Sequence, residues 1–496
     1  MSRSIPKYIS ENLRHELRPY QTAAISKWLD HADNLENNHH QVLFQMATGS
    51  GKTLIMAALI LDLYRRGLRN FIFFVGSTNI LEKTRDNFLH SNSPKYLFAK
   101  YLTIDDKYIP VREVETFSSS DQNAINLIFT TTQRLHGDLH HPHENRLTFD
   151  DLRDYNFALI GDEAHHNNAK LVREDARTWE ETIENLSQIN PSALLLEFTA
   201  TMDFQNPTIR EKYHNRLLFR YDLSKFRAEK YSKDVLIYSA DCDLKRRFLQ
   251  AIIISEYRKL VAEKYQINLK PVVLFKSRTV IENKDNFRQF VALMATLKPE
   301  DLLAEIPAIA SNSNHDQVSE KPPAESILAK AFQFFEQENI SAATLCALLQ
   351  ADFHPDFCLR IDGSQKLSAH TQHLINTLES PENPYRAIFA VDMLKEGWDV
   401  LNLFDIVRLY ETKNEHRKTA HDTTLSEAQL IGRGARYFPF DFQAFPRSLR
   451  KFDDQPDHEL RTLEQLHYHT SRDVKYISDI QHALDDTGIT DYFSKI

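Results

Sequence analysis

Short, almost wholly apolar segments alternate with helix-like stretches along the first 222 residues. These segments are "QVLFQM" (41–46), "NFIFFVG" (70–76), "NLIFTT" (126–131), "FALIGD" (157–162) and "ALLLEFTA" (193–200). Strands that read as continuous apolar runs are buried on both faces, which is typical of a parallel sheet covered by helices. The pattern therefore predicts an α/β domain over residues 1–222.

A second set of apolar segments follows a polar, charged passage at 220–235, which we interpret as a linker. The segments are "PVVLFK" (271–276), "FCLRIDG" (357–363), "RAIFAVD" (386–392) and "FDIVRLY" (404–410). The same reasoning predicts a second α/β domain, which together with the linker occupies residues 223–445. The fold class is thus α/β, with two parallel-sheet domains in tandem.

Two regions depart from the strand and helix alternation. Residues 298–325 are rich in proline, serine, asparagine and charge, and they predict a loop-rich insertion in the second domain, near 298–345. From residue 446 the chain becomes charged and helix-like. We expect 446–496 to form a short helical C-terminal extension.

Composition narrows the class of protein but leaves its partner open. The net charge of −9 argues against a surface coated in positive charge, although a local basic groove still attracts phosphates. The three cysteines lie far apart without a CxxC pair, so they indicate neither a zinc ribbon nor a disulfide framework. Apolar runs are too short to span a membrane, and the N-terminus lacks a secretion signal. We expect a cytoplasmic protein without a membrane partner.

The first apolar segment ends in the sequence Ala-Thr-Gly-Ser-Gly-Lys-Thr, and a helix-forming stretch follows it. Only 11 glycines occur in the chain, yet two of them stand here within three positions. A strand, a glycine-rich turn and a helix in this order predict a phosphate-binding loop, in which backbone N–H groups point at the phosphates of ATP. The lysine adds positive charge, and the final threonine hydroxyl supplies a Mg²⁺ site. The predicted nucleotide-binding residues are Thr48, Gly49, Ser50, Gly51, Lys52 and Thr53.

Two carboxylates follow directly after the buried segment at 157–162. Asp162 stands at the carboxyl end of this predicted strand, where it can hold Mg²⁺ through water. Glu163 is then placed to accept a proton from an attacking water. Together with Lys52, these residues predict phosphoryl transfer.

The motifs "ATGSGKT", "DEAHH" and "FTATM" (198–202) resemble motifs I, II and III of superfamily-two helicases and translocases. The resemblance implies two RecA-like domains and a set of roles in the first one. Gln21 of "LRPYQ" recognises adenine, while Thr131, Thr132 and Gln133 contact the nucleic-acid backbone. Three residues couple hydrolysis to domain movement. They are His165, Thr199 and Thr201.

The stretch "EAQLIGRGARYFPF" (427–440) resembles motif VI of the same superfamily. It implies that Arg433 and Arg436 reach the γ-phosphate as catalytic arginines, with Gln429 in a coupling role. The stretch at 390–409 resembles motif V, which implies nucleotide-binding roles for two residues, Gly397 and Asp399. The stretch at 272–280 occupies the place of motif IV. It implies phosphodiester contacts from three residues, Lys276, Ser277 and Arg278.

Within the superfamily, the motifs are most similar to the motor subunits of type III restriction enzymes. The resemblance implies an ATP-dependent helicase or translocase, most simply on double-stranded DNA, in restriction or anti-phage defence. It also implies a separate modification, nuclease or other defence subunit, because we find no nuclease motif in this sequence. Two alternatives stay open: a nucleotide-switched sensor that binds nucleic acid without moving, and an RNA helicase.

Overall fold

The computed structural model divides into two compact units, Met1–Leu223 and Ser224–Ile496. It describes residues 3–35, 40–76, 78–93, 95–141, 146–164, 174–200, 202, 207–240, 242–305, 326–362, 369–391, 400–411, 417–487 and 489–490. Within these residues no helix has both the length and the apolar character needed to cross a bilayer.

The first unit alternates strands and helices. Its strands are β1 Gln41–Met46, β2 Asn70–Val75, β3 Thr103–Ile104, β4 Lys107–Tyr108, β5 Val111–Glu113, β6 Ile125–Thr131, β7 Phe157–Gly161, β8 Leu194–Thr199 and β9 Leu217–Tyr221. Its helices are α1 Lys7–Ser10, α2 Pro19–Ala32, α3 Lys52–Arg65, α4 Thr78–Leu89, α5 Thr132–His140, α6 Phe149–Arg153, α7 Glu174–Ile189 and α8 Pro207–Tyr213.

Seven of these strands form one parallel sheet in the order β5-β6-β2-β7-β8-β1-β9. Every residue of β2, β7 and β8 is buried, which agrees with their continuous apolar sequences. Parallel neighbours need crossover connections, and helices supply them on the faces of the sheet. The predicted α/β domain is therefore confirmed in its fold class.

A buried carboxylate ties the first three helices together. Asp62 of α3 accepts hydrogen bonds from the Tyr8 hydroxyl (2.7 Å) and from Trp28 Nε1 (2.9 Å). Arg66 Nε donates to the same carboxylate at 2.8 Å. Because a buried carboxylate is costly without such donors, this contact fixes α1 and α2 against α3.

The second unit begins within helix α9, Leu223–Ala228, and contains a further sheet. Its strands are β10 Asp234–Ser239, β11 Val272–Lys276, β12 Cys358–Ile361, β13 Ala387–Ala390, β14 Leu403–Arg408 and β15 Gln465–Thr470. Its other helices are α10 Leu244–Lys264, α11 Val280–Thr296, α12 Pro299–Leu303, α13 Ile327–Gln337, α14 Ala342–Asp352, α15 Ala369–Asn376, α16 Arg417–Gly434 and α17 Val474–Asp486.

The six strands of the second unit are also parallel, in the order β10-β15-β14-β11-β13-β12. All residues of β11, β13 and β14 are buried. The central helix α10 packs apolar residues such as Phe248 and Ile252 into the main core of this unit. Two tandem parallel-sheet units confirm the predicted fold class.

The segment 446–496 is not a helical extension, and that prediction is wrong. Its strand β15 lies between β10 and β14 in the middle of the second sheet. The sequence of β15, "QLHYHT", reads as polar because it carries His467 and His469, yet both side chains are buried. Arg258 forms a hydrogen bond with His467, and Asp405 forms one with His469, so both imidazole rings have polar partners inside the core.

The predicted loop-rich insertion near 298–345 is also wrong for the part that the structure describes. Helices α12 and α13 and the start of α14 occupy it, and residues 306–325 lie outside the described residues. In α13, Leu328, Ala331, Phe334 and Phe335 recur at helical spacing and join the core. The polar composition that suggested a loop belongs mostly to the undescribed stretch.

Ending the chain at Glu464 tests whether the tail belongs to the second sheet. We expect the second unit to lose its cooperative thermal unfolding, because β10 and β14 both lose a buried partner strand. A chain that ends at Thr490 keeps β15 and α17, and serves as the control. Scanning calorimetry that shows unchanged unfolding of the shorter chain would contradict the placement of β15.

Candidate active site

The loop between β1 and α3 has the backbone of a phosphate-binding turn. Gly49 and Gly51 adopt φ values of 81° and 78°, in the left-handed region that favours glycine. Gly51 is the residue before the first turn of α3, whose initial N–H groups have no intrahelical acceptors. The helix dipole and these donors make this end of α3 attractive to a phosphate.

Two side chains from α2 hold this loop from outside. The Tyr20 hydroxyl and the Gln21 Nε2 both donate to the carbonyl of Ser50, at 2.9 and 2.8 Å. The Gln21 Oε1 accepts from the backbone N–H of Arg18 at 2.9 Å. Gln21, predicted to recognise adenine, thus uses its amide in this structure to connect α2 to the phosphate loop.

Tyrosines that the sequence reasoning missed complete this support. The Tyr20 ring stacks on Tyr221 with ring centroids 4.2 Å apart and planes at 12°. Tyr221 ends β9, and its carbonyl accepts from the N–H of Ala47 at 2.8 Å. The phosphate loop is therefore held from α2 on one side and from β9 on the other. An aromatic residue directly before Gln21 was the available signal.

Two polar side chains of the loop, those of Ser50 and Lys52, are buried. Ser50 is fully buried, and its Oγ has no hydrogen-bond partner among the described residues. Lys52 is 8% exposed, and its Nζ lies 3.4 Å from the Met46 carbonyl. A buried hydroxyl without a partner and a buried ammonium next to a single carbonyl both fit a bound anion. Thr48 and Thr53 are half-buried in the same loop and at its helix.

The acidic pair stands at the end of β7. The pKa of Asp162 is raised to about 6, first by burial and then by the Glu163 carboxylate, while the Lys52 ammonium opposes the shift. Glu163 has a φ of 55°, uncommon for a residue other than glycine, and its N–H donates to Asp162 Oδ1 at 3.0 Å. The backbone N–H of Ala164 donates to the Phe198 carbonyl of β8, which anchors this strained turn. Such strain is typical of functional sites.

Strand β8 lies between β1 and β7, so the three candidate motifs meet at one edge of the sheet. Gln45 of β1 is in register with Thr199 of β8, and Gly161 of β7 with Glu197. Thr199 is fully buried at this edge. The structure brings the loop, the acidic pair and Thr199 together, but the coupling role of Thr199 stays a prediction.

The two residues predicted to hold Mg²⁺, Thr53 and Asp162, carry ligand atoms that suit this ion. Asp162 is a carboxylate whose burial is unfavourable without a cation, and Thr53 begins the helix that follows the loop. Oxygen ligands of this kind, completed by phosphate and water, are what Mg²⁺ prefers. Among the described residues no group of three or more histidine, cysteine or acidic side chains is placed to hold a metal ion.

The predicted nucleic-acid contacts of the first unit lie at the start of α5. The Thr131 side chain caps this helix by accepting from the N–H of Arg134 at 3.2 Å. The Thr132 hydroxyl donates to the carbonyl of Val75 at 3.4 Å, and the Gln133 side chain is exposed. All three lie where β6 ends, and their contact with nucleic acid stays a prediction.

Two of the three predicted contacts in the second unit need correction. Lys276 is 5% exposed, and its Nζ forms a buried ion pair with Glu427 Oε1 at 3.2 Å. Ser277 is fully buried, with its Oγ accepting from Asn286 Nδ2 at 2.9 Å. Neither polar group is therefore available to a phosphodiester in this structure. Arg278 is exposed and keeps its predicted role.

The predicted catalytic arginines lie at the end of α16 and just beyond it. Gln429 is exposed, whereas Arg433 and Arg436 are half-buried. Earlier in α16, Glu427 is fully buried and accepts from Tyr410 at 2.6 Å, and Tyr476 of α17 also donates to it. The sequence analysis missed Glu427, which anchors the helix that carries the arginines.

Four predicted site residues lie outside the described residues. They are Gly397 and Asp399 of motif V, His165 after the acidic pair, and Thr201 after β8. Their predicted roles stay as the resemblance implies them.

These features define a class of protein: an ATP-binding motor of the RecA-like helicase type, with a phosphate loop and an acidic pair at one sheet edge. Residues 14–204 match the family model described as type III restriction enzyme, res subunit. Residues 423–492 match a second family model, described as an N-terminal region.

A relative from Haemophilus influenzae is described as a probable type III restriction-modification enzyme HindVIP Res subunit. It is 34% identical over 450 residues, which cover 83% of this chain and 87% of that protein. The chain therefore belongs to the family of Res subunits of type III restriction enzymes, and by class it is an ATP-dependent helicase or translocase.

Two solved structures match most of this chain at low sequence identity. The ATP-dependent type ISP restriction-modification enzyme LlaBIII bound to DNA is 14% identical with a TM-score of 0.44, covering 95% of this chain and 33% of that one. The Saccharomyces cerevisiae protein Dbp5 bound to RNA and ADP BeF3 is 12% identical with a TM-score of 0.44, covering 95% and 94%.

Replacing Gly51 by alanine tests the link between α2 and the phosphate loop. An added Cβ would lie 2.5 Å from Gln21 Nε2, so the side chain that holds Ser50 must move. We expect ATP affinity to fall by about tenfold or more, measured with a fluorescent ATP analogue. Gly67→Ala is the matched control, because Gly67 also has a positive φ but nothing lies within 4 Å of its added Cβ.

Both substitutions impose left-handed strain, about 1–2 kcal/mol, on the folded state. Only Gly51→Ala should also weaken nucleotide binding. Equal affinities for the two variants would show that the Gln21 contact does not shape the loop.

Proposed function

We propose that this chain hydrolyses Mg·ATP to move along double-stranded DNA as the motor of a restriction system. One observation supports the hydrolytic site above all others. Lys52 begins α3 whereas Asp162 and Glu163 follow β7, yet the fold brings the Lys52 ammonium close enough to act on the Asp162 carboxylate. A cation and two carboxylates beside a phosphate loop suit phosphoryl transfer.

Each predicted hydrolytic residue of the first unit then has a chemical role. The N–H groups at Gly49–Thr53 and the Lys52 ammonium bind and orient the phosphates of ATP. Thr53 and Asp162 would hold Mg²⁺, which offsets phosphate charge when it is bound. Glu163 accepts the proton of the attacking water, and its strained backbone fixes the carboxylate at the turn.

We assign the catalytic arginines to the second unit. Arg433 and Arg436 stabilise the charge that develops on the γ-phosphoryl group, a contribution of roughly 10³–10⁵ in rate for such arginines. Under this assignment, hydrolysis at the phosphate loop of the first unit depends on residues of the second. Such dependence would couple ATP hydrolysis to movement along the strand.

Membership of the Res family supports a role in DNA restriction. The particular nucleic acid and the protein partner are part of our proposal. We propose duplex DNA as the track, contacted mainly through its phosphates, and a modification subunit as a protein partner. We further propose that cleavage of DNA is performed by a site outside the motor motifs described here.

Glu163→Gln should keep ATP binding and lose at least about a hundredfold in turnover, because the general base is removed while the shape is kept. The measurement is ATPase activity with duplex DNA, beside ATP affinity. Glu113→Gln, at an exposed salt bridge to Arg85, is the matched control and should turn over normally. Near-normal turnover by Glu163→Gln would assign the base to another group.

Comparing how different nucleic acids stimulate ATP hydrolysis distinguishes the proposal from its two alternatives. We expect duplex DNA to stimulate ATP hydrolysis more than single-stranded DNA or RNA, and the stimulation to weaken steeply with salt, because phosphate contacts release counterions. A preference for RNA would favour an RNA helicase. Stimulated hydrolysis without displacement of a bound strand or protein would favour a nucleotide-switched sensor.

A further inference from the structure

A fully buried lysine with no assigned role stands where the chain enters the second unit. Lys233, between α9 and β10, sends its Nζ to three backbone carbonyls: Leu401 at 2.7 Å, Leu403 at 2.6 Å and Gly434 at 3.1 Å. An ammonium has three N–H donors, and each finds an acceptor here. The ring of Phe404 covers the same Nζ at 4.1 Å from its centroid, a favourable cation–π contact.

The carbonyls that Lys233 binds belong to the two predicted nucleotide motifs of this unit. Leu401 and Leu403 lie within the motif V stretch at 390–409, where Leu403 begins β14, whereas Gly434 lies between Arg433 and Arg436. The backbone N–H of Lys233 also donates to Ala435 at 2.6 Å. Its neighbour Ser232 forms an antiparallel bridge with Arg436. One short segment therefore holds the turn that carries both arginines.

Burial of the Lys233 ammonium is unfavourable unless its contacts offset the cost of removing it from water. Burial lowers the pKa of Lys233 well below its ordinary value, and the charges of Arg258 and Arg436 act in the same direction, against those of Glu379 and Asp405. An apolar side chain would avoid this cost but would remove the hydrogen bonds that Lys233 gives to three carbonyls. The arrangement suits a group that must fix backbone in one place.

We propose that Lys233 is a positioning residue for the predicted arginines, holding the Arg433–Arg436 turn against the end of motif V. The proposal rests on the proposed catalytic role of those arginines. Lys233 itself does not touch ATP. Its loss should therefore lower the rate of hydrolysis without an equal loss of ATP affinity.

Lys233→Met keeps the length of the side chain and removes its donors. We expect kcat of the DNA-stimulated ATPase to fall about 10- to 100-fold, as misplaced catalytic groups do, with ATP affinity within about threefold. Lys233→Arg, which keeps the charge and donors, should recover most of the rate. Lys270→Met is the matched control, since Lys270 also donates to two carbonyls, those of Ser380 and Asn383, away from motif VI.

Combination with the loss of both arginines distinguishes positioning from a general structural role. If Lys233 acts through Arg433 and Arg436, adding Lys233→Met to Arg433→Ala/Arg436→Ala should not slow hydrolysis further, whereas independent effects would multiply. Amide hydrogen exchange across residues 433–436 should also accelerate in Lys233→Met and stay unchanged in Lys270→Met. If Lys233→Met does not fold, Lys233→Gln, which keeps two donors, is judged by the same criteria.

The results of these experiments distinguish the role of Lys233 from the role of the arginines. A slow Arg436→Ala with a normal Lys233→Met overturns the role of Lys233 and leaves the arginine assignment in place. Normal turnover by Arg433→Ala/Arg436→Ala overturns the arginine assignment and the positioning role together. Multiplicative effects in the combined variant reduce Lys233 to a structural residue.

Discussion

Burial of both faces of a parallel sheet is the constraint on which the rest of this protein depends. The central strands of each unit have no exposed residue, so a polar group cannot stand on them without a buried partner. Chemistry is therefore confined to the carboxyl ends of strands, where loops and helix starts supply donors. The phosphate loop, the acidic pair and Thr199 lie together for this reason, and not because they are close in sequence.

The second unit shows how a charged side chain is tolerated on a strand that is buried on both faces. Asp405 on β14 is fully buried, and Arg258 and His469 bind it inside the core. Arg258 holds the pKa of the Asp405 carboxyl below its usual value, against the effect of burial. Such pairs add little net stability, yet removal of one partner leaves the other charge buried and unpaired. They fix which strands are neighbours more than they strengthen the sheet.

The sequence predicted those parts of the fold that follow from apolar continuity. The five apolar segments of the first unit became β1, β2, β6, β7 and β8, and their motifs meet at one edge. The apolar pattern did not predict β10 and β15, because "DVLIYS" and "QLHYHT" look amphipathic or polar. Strand β10 is mostly half-buried, and the buried histidines of β15 depend on partners distant in the chain. Lys276 misled for the converse reason: a basic residue after an apolar strand suggests phosphate, and only the structure reveals Glu427 beside it.

Buried hydrogen bonds connect the motif VI helix to the tail that follows it. The family model that matches 423–492 begins inside α16 and ends after α17. Within that stretch Glu427 of α16 accepts from Tyr476 of α17, and Tyr476 in turn bonds Tyr468 of β15 at 2.7 Å. Each of the three elements therefore supplies a buried polar group that pairs with a group on another of them. The helix that carries Arg433 is thus held in part by a strand and a helix that follow it in the chain.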